Sequence, residues 1–123
     1  MGEKERCELL QGPEDLEKAI QTHDRLFVLF YASWCPFSQA FLPAYADLAE
    51  PGDPCYVRIL SNDDDAHVEK YGIEVYPTVL YFEKGKLAKR LDGRHLMGLS
   101  KKKFESFIGQ CRTSEARPGF SKA

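Results

Sequence analysis

The sequence predicts an α/β fold: a mixed central sheet with helices on both faces, ending in a β-hairpin and a helix. Three observations carry this. Segments with strand character alternate with segments of helical periodicity along most of the chain. The run Leu26–Tyr31 (LFVLFY) is apolar without a break, as in a strand buried on both faces. Glu83-Lys84-Gly85-Lys86 separates two short strand-like runs and marks a hairpin turn.

Each element follows from local chemistry. Cys7–Leu10 reads as a short strand, turned by Gln11-Gly12-Pro13. Pro13–Asp24 reads as a helix: Pro13 suits the first helical position, and Glu14 and Asp15 suit the positive end of the helix dipole. Its Leu16, Ala19 and Ile20 share one apolar face. After the Leu26–Tyr31 strand comes a helix over Pro36–Glu50, with Phe41, Tyr45 and Leu48 on one face and a kink expected at Pro43. Pro51-Gly52-Asp53-Pro54 ends it.

Cys55–Leu60 alternates and reads as a strand. Asp63-Asp64-Asp65 then precedes a short helix to Tyr71, stopped by Gly72. Three aspartates suggest calcium, but the glycine and glutamate of a calcium loop are absent, so a helix cap is the better reading. Thr78–Phe82 and Leu87–Leu91 form the hairpin. A last helix over Leu99–Cys111 places Phe104, Phe107, Ile108 and Cys111 on one face, with Ser100 as cap. Lys101-Lys102-Lys103 reads as a solvated face. The expected organisation is one domain over residues 1–111 and a flexible C-terminal tail over 112–123.

Composition narrows the function. A net charge of −2 with no long basic stripe argues against nucleic acid as a partner. No apolar run approaches the ~20 residues of a membrane span. The start, Met1-Gly2-Glu3-Lys4-Glu5-Arg6, is too charged for a signal peptide, so the expected location is cytoplasmic. A leader removed ahead of this start would instead place the chain in a secretory lumen or periplasm. Cys7, Cys35, Cys55 and Cys111 lack the close spacing of a zinc site, and His23, His67 and His95 are scattered; no metal is expected.

The chemistry is concentrated at Trp34-Cys35-Pro36-Phe37-Ser38. Cys35 follows a buried strand and opens a helix, where backbone N–H groups and the dipole favour thiolate over thiol. Trp34 can shield the sulfur while leaving one approach open. Ser38 lies one helical turn on, where its hydroxyl can donate to the sulfur. The competing reading, a buried structural cysteine, fits a strand-to-helix turn at the end of a sheet poorly.

The stretch LFVLFYASWCPFS resembles the active-site strand and helix start of the thioredoxin and protein disulfide isomerase family. The resemblance continues through Pro43, Lys70-Tyr71-Gly72-Ile73, Tyr76-Pro77-Thr78 and Phe82-Glu83-Lys84-Gly85-Lys86, covering about residues 6–111. It implies a thioredoxin fold, a cis bond before Pro77, and client contacts at Trp34, Pro36, Phe37, Tyr76 and Pro77. Phe30-Tyr31-Ala32 and Tyr76 look more like the isomerase branch. Two departures stand out. The family motif is Cys-x-x-Cys, whereas this chain has Ser38 at the second position. The family's buried acid, six residues before the active cysteine, is here Leu29. Both parts of the step that releases a mixed disulfide are missing together, which favours a natural serine over a laboratory substitution made to trap clients.

The resemblance therefore implies a monothiol variant, with Cys35 as nucleophile and Ser38 beside it. Its partners would be a disulfide- or thiol-bearing protein client and an external thiol, low-molecular-weight or protein. It needs no cofactor, although a thiol such as glutathione must complete turnover. The inherited topology puts Cys7, Cys55 and Cys111 at the opposite pole from Cys35, and leaves a structural Cys7–Cys55 bridge conceivable, with buried thiols as the default. Arg94 resembles an isomerase arginine that tunes the second cysteine, and here reads as a surface residue. The alternative function is a catalytically inactive client-binding module using the same groove. A glutaredoxin-type reductase lacks a glutathione-binding signature.

Overall fold

The computed structural model describes residues 8–50, 54–62, 65–94 and 98–116, with 112–116 as backbone alone. The elements are β1 (Glu8–Leu10), α1 (Pro13–Thr22), β2 (Arg25–Tyr31), α2 (Pro36–Leu48), β3 (Cys55–Leu60), α3 (Ala66–Lys70), β4 (Thr78–Glu83), β5 (Lys86–Asp92) and α4 (Lys101–Ala116). They form a five-stranded sheet in the order β1-β3-β2-β4-β5. β3 runs parallel to β1 and β2, while β4 is antiparallel to β2 and β5 to β4. This is a thioredoxin-type mixed sheet with a C-terminal hairpin and helix. Among the described residues no helix is long and apolar enough to cross a membrane.

β2 is central, bonded to β3 on one side and β4 on the other. Its side chains alternate between two cores, as the period of a strand dictates. Leu26, Val28 and Phe30 enter the core containing Leu16 and Ile20 of α1 and Val68 of α3. Phe27, Leu29 and Tyr31 enter the core of Phe41 and Tyr45 from α2 and Phe104, Phe107 and Cys111 from α4. Tyr45 adds a polar tie: its hydroxyl lies 2.6 Å from the Val57 carbonyl and 3.1 Å from that of Phe27.

Helix ends differ from expectation in instructive ways. α1 stops at Thr22, because His23 is already extended (φ −114°, ψ 133°) on the way into β2. α2 passes through Pro43, which is exposed, and ends at Leu48 with Ala49 extended. α4 begins at Lys101, where Ser100 Oγ accepts from the Lys103 N–H at 3.1 Å, as a cap should. It continues to Ala116, past the boundary expected at Cys111. Apolar periodicity ends at Cys111, but nothing before Pro118 breaks a helix, so the backbone ladder runs on. Residues 117–123 of the expected tail lie outside the described residues. Lys101, Lys102 and Lys103 are exposed, as expected of a solvated face, and Lys101 Nζ also lies 2.6 Å from Asp47 of α2.

The hairpin turn has φ 52° at Lys84 and 83° at Gly85, the pair of positive values that a two-residue turn between twisted strands demands. Asp63 and Asp64 lie outside the described residues. Asp65 holds the N-cap position of α3, but its carboxylate accepts the Asn62 N–H at 2.9 Å rather than a helical N–H. A tight turn before the helix claims the oxygen first.

His67 is 4% exposed. Its Nε2 is 3.1 Å from Ser61 Oγ and 3.8 Å from Asp65 Oδ2. Ser61 has one hydroxyl proton, which goes to the Ile59 carbonyl at 3.2 Å, so His67 Nε2 is the donor to Ser61. Nδ1 is left as a buried lone pair with no hydrogen-bond partner among the described residues. Burial pushes the His67 pKa down, and Asp65 opposes that only in part. The unfolded chain therefore binds the proton more readily. The stability His67 permits is complete above its unfolded pKa of about 6.5 and is lost as pH falls from there through the lower folded value. Urea midpoints measured from pH 7.5 down to pH 5 should fall, and His67→Leu should flatten that fall. An equally steep fall in the variant would assign it to other groups.

Candidate active site

The site is assembled where β2 ends. Ala32 follows the strand, and its carbonyl accepts the Cys35 N–H at 3.3 Å, closing a tight turn. Cys35 is the N-cap of α2 (φ −100°, ψ 115°), and its carbonyl accepts the Gln39 N–H at 3.1 Å. Pro36 occupies the first helical position, where its missing N–H removes no intrahelical bond. No acidic side chain lies in this first turn, so the positive end of the helix faces the sulfur unopposed from within α2.

The opposite wall is the loop before β4. The Tyr76–Pro77 peptide is cis. Cys35 Sγ donates to the Tyr76 carbonyl at 3.7 Å. Trp34, 59% exposed, meets the Tyr76 ring edge-on at 5.7 Å between centroids. Thr78 Oγ1 donates to the Val75 carbonyl at 2.9 Å and tightens the same loop. Cys35 itself is only 7% exposed. The openness expected of a strand-to-helix turn is carried by Trp34 and Pro36, while the sulfur sits below them.

The residues singled out in sequence do converge. Trp34, Cys35, Tyr76 and Pro77 form the rim and floor, and Phe37 is half-buried beside them. Ser38 is fully buried, but its expected bond to the sulfur is not formed. Its Oγ accepts the Ala32 N–H at 3.1 Å. Ala32 is itself buried, and an unpaired N–H there would be costly, so the backbone claims the hydroxyl. Leu29 is fully buried with Phe41 in the core under α2 and α4, an apolar surrounding for the position that the resemblance assigns to an acid. Arg94 is exposed, as expected.

Cys55 opens β3 opposite Leu26, near the start of β2, whereas Cys35 lies past its far end. At ~3.3 Å per residue the strand separates them by far more than the ~7 Å a disulfide tolerates. Cys111 is buried in the helix α4. Cys7 lies outside the described residues, and with it the suggested Cys7–Cys55 bridge. Among the described residues, no group of three or more His, Cys, Asp or Glu side chains is placed to hold a metal.

Two glycines were not singled out from sequence. A Cβ on Gly93 would stand 2.3 Å from the Pro77 carbonyl oxygen, so only glycine lets β5 end against that loop. A Cβ on Gly98, at φ 72°, would stand 2.8 Å from Phe37 Cβ. Glycine just after a strand was the available signal, but its partner is remote in sequence.

This arrangement defines a class. The sequence pattern of the family described as Thioredoxin matches residues 9–110, and the chain belongs to that family. It is 31% identical over 91 residues to protein disulfide-isomerase 1 of Caenorhabditis elegans, covering 70% of this chain and 19% of that protein. It is 32% identical over 115 residues to protein disulfide isomerase-like 2-2 of Oryza sativa subsp. japonica, covering 88% of this chain and 30% of that one. The chain thus spans less than a third of either isomerase. Among solved structures, the N21Q mutant thioredoxin from Halobacterium salinarum superposes with a TM-score of 0.71 at 24% identity, covering 86% of this chain and 91% of that one. The reduced Schistosoma mansoni thioredoxin pre-protein gives 0.69 at 27%, covering 84% and 97%.

The Ser38 geometry yields a prediction. Ser38→Ala leaves the buried Ala32 N–H without an acceptor and should cost about 1–3 kcal/mol in urea unfolding. The rate at which Cys35 is alkylated should change little. A large change in that rate at unchanged stability would place the hydroxyl on the sulfur instead.

Proposed function

We propose that this chain is a monothiol thiol–disulfide exchange domain of isomerase-like character. The observation that carries the proposal is the placement of Cys35 Sγ at the start of α2, against the Tyr76 carbonyl, with Ser38 where a second sulfur would be needed. The Cys35 thiolate attacks one sulfur of a client disulfide. The client's S–S bond breaks, a Cys35–client disulfide forms, and the departing client thiolate takes up a proton. A serine hydroxyl cannot attack the Cys35–client disulfide to expel the client thiolate, so forward release falls to an external thiolate, from glutathione or a partner protein, which attacks that disulfide. Electrons are conserved at each exchange, and no cofactor is required. Clients would lie across Trp34, Pro36, Phe37, Tyr76 and Pro77, pairing their backbone with the loop beside Pro77.

The 7% exposure of Cys35 favours a second reading, a client-binding module that leaves the thiol unused. The two separate on covalency. With a disulfide-bearing peptide and no other thiol, exchange predicts a stable adduct, mapped by mass to Cys35 and released by glutathione. Non-covalent binding, or rapid release without any added thiol, contradicts it. Ser38→Cys should form a disulfide between Cys35 and the introduced cysteine, since one helical turn from an N-terminal cysteine is within bridging distance. That variant should turn over as a dithiol reductase, though slowly, because Leu29 can exchange no proton with the new thiol. Leu29→Glu added to it should speed turnover and cost stability on the order of several kcal/mol.

A further inference from the structure

We propose that Arg90 and Asp92, on edge strand β5, are positioning residues that set the Tyr76–Pro77 loop against Cys35; this rests on the exchange reading above and deepens it. α3 ends in a left-handed cap. Gly72 has φ 61°, its N–H donates to the Glu69 carbonyl, and the Ile73 N–H donates to that of Val68. This closure leaves the carbonyls of Tyr71 and Gly72 pointing away from the helix. Arg90 takes both: Nη1 donates to the Tyr71 carbonyl at 2.8 Å and Nη2 to that of Gly72 at 3.2 Å. Asp92 fixes the fork, accepting from Nε at 3.1 Å and from Nη2 at 2.8 Å.

From Gly72 the chain runs directly into Ile73-Glu74-Val75-Tyr76-Pro77. Its far end is also gripped from the β5 side. Asp92 pairs with Thr78 in the sheet register, and Gly93 lies against the Pro77 carbonyl. The end of β5 therefore holds the loop at both ends, with Arg90 at the entry and Gly93 at the exit. Between these holds lies the carbonyl that faces the Cys35 sulfur. The clamp is largely solvent-exposed, so its worth to global stability is small. Its worth is geometric, because a planar fork reaching two carbonyls and a carboxylate allows one loop position where a mobile cation would allow several. An extended client must pair with that loop, whereas a small disulfide needs only the sulfur.

The experiment compares wild type, Arg90→Ala and Arg90→Lys against two probes: an extended peptide carrying a cysteine nitropyridyl disulfide, and dithiobis(nitrobenzoate). Arg90→Ala should slow the peptide reaction about tenfold, as a misplaced contact does, while the nitrobenzoate rate changes far less. Arg90→Lys should recover little of the loss, since an ammonium cannot span both carbonyls. Trp34 is the only tryptophan, and its ring packs on Tyr76, so its quenching by acrylamide should increase in Arg90→Ala. A folded Arg90→Ala protein with the wild-type ratio of the two rates and wild-type quenching overturns the proposal. Should Arg90→Ala not fold, Asp92→Asn loosens the fork without touching either carbonyl and should lower the same ratio; an unchanged ratio overturns the proposal equally. If wild type reacts with neither probe, the exchange reading fails, and the quenching of Trp34 alone decides the clamp.

Discussion

Everything at the site depends on the double burial of β2. A strand hydrogen-bonded on both edges and packed on both faces has no freedom to shift register, because a slip of one residue would exchange its two sets of side chains between the cores. The chain leaves this strand at Tyr31, turns on the Ala32 carbonyl, and starts α2 at Cys35. The sulfur is thus placed by the most constrained part of the molecule. The opposing wall has a looser origin. It hangs between α3 and β4 and takes its position from contacts that arrive sideways, from Trp34, Thr78, Arg90 and Gly93. On the exchange reading, a sulfur placed by the strand and a loop held from β5 together set one groove for an extended client.

Ser38 shows how a substitution of one atom type divides between chemistry and architecture. On the exchange reading a hydroxyl here leaves the adduct unresolved, while its oxygen serves the fold by accepting the Ala32 N–H at the base of the active-site turn. Leu29 next to Phe41 extends this theme: where an acid would demand water or a proton, the leucine packs against other apolar side chains. Ser38 and Leu29 are both fully buried, so each residue serves the packing around the active-site turn and β2 whatever its part in exchange.

Much of this was legible in sequence because it is local. The LFVLFY run, the Lys84-Gly85 turn, Ser100 as a cap and the Trp34–Ser38 constellation each speak through neighbouring residues. What was not legible is mostly non-local. Gly93 matters because Pro77 is against it, and Arg90 because the carbonyls of Tyr71 and Gly72 are, and no periodicity reports such pairs. Ser38 was assigned to the sulfur because only the helical spacing was visible, not the buried N–H that competes for it. The extent of α4 was underestimated because amphipathic period reports burial, and a helix can outlast its buried face.

On the exchange reading, the start of α2, rather than exposure, makes Cys35 the reactive thiol. The two criteria disagree here, since Cys35 is 7% exposed while Cys55 is half-buried and more open. The direct measurement is competitive labelling with limiting iodoacetamide at mildly acidic pH, with each cysteine quantified by peptide mass. Cys35 should be labelled first, well ahead of Cys55 and Cys111. Labelling of Cys55 ahead of Cys35 would contradict this, and would leave the site as a groove without a nucleophile.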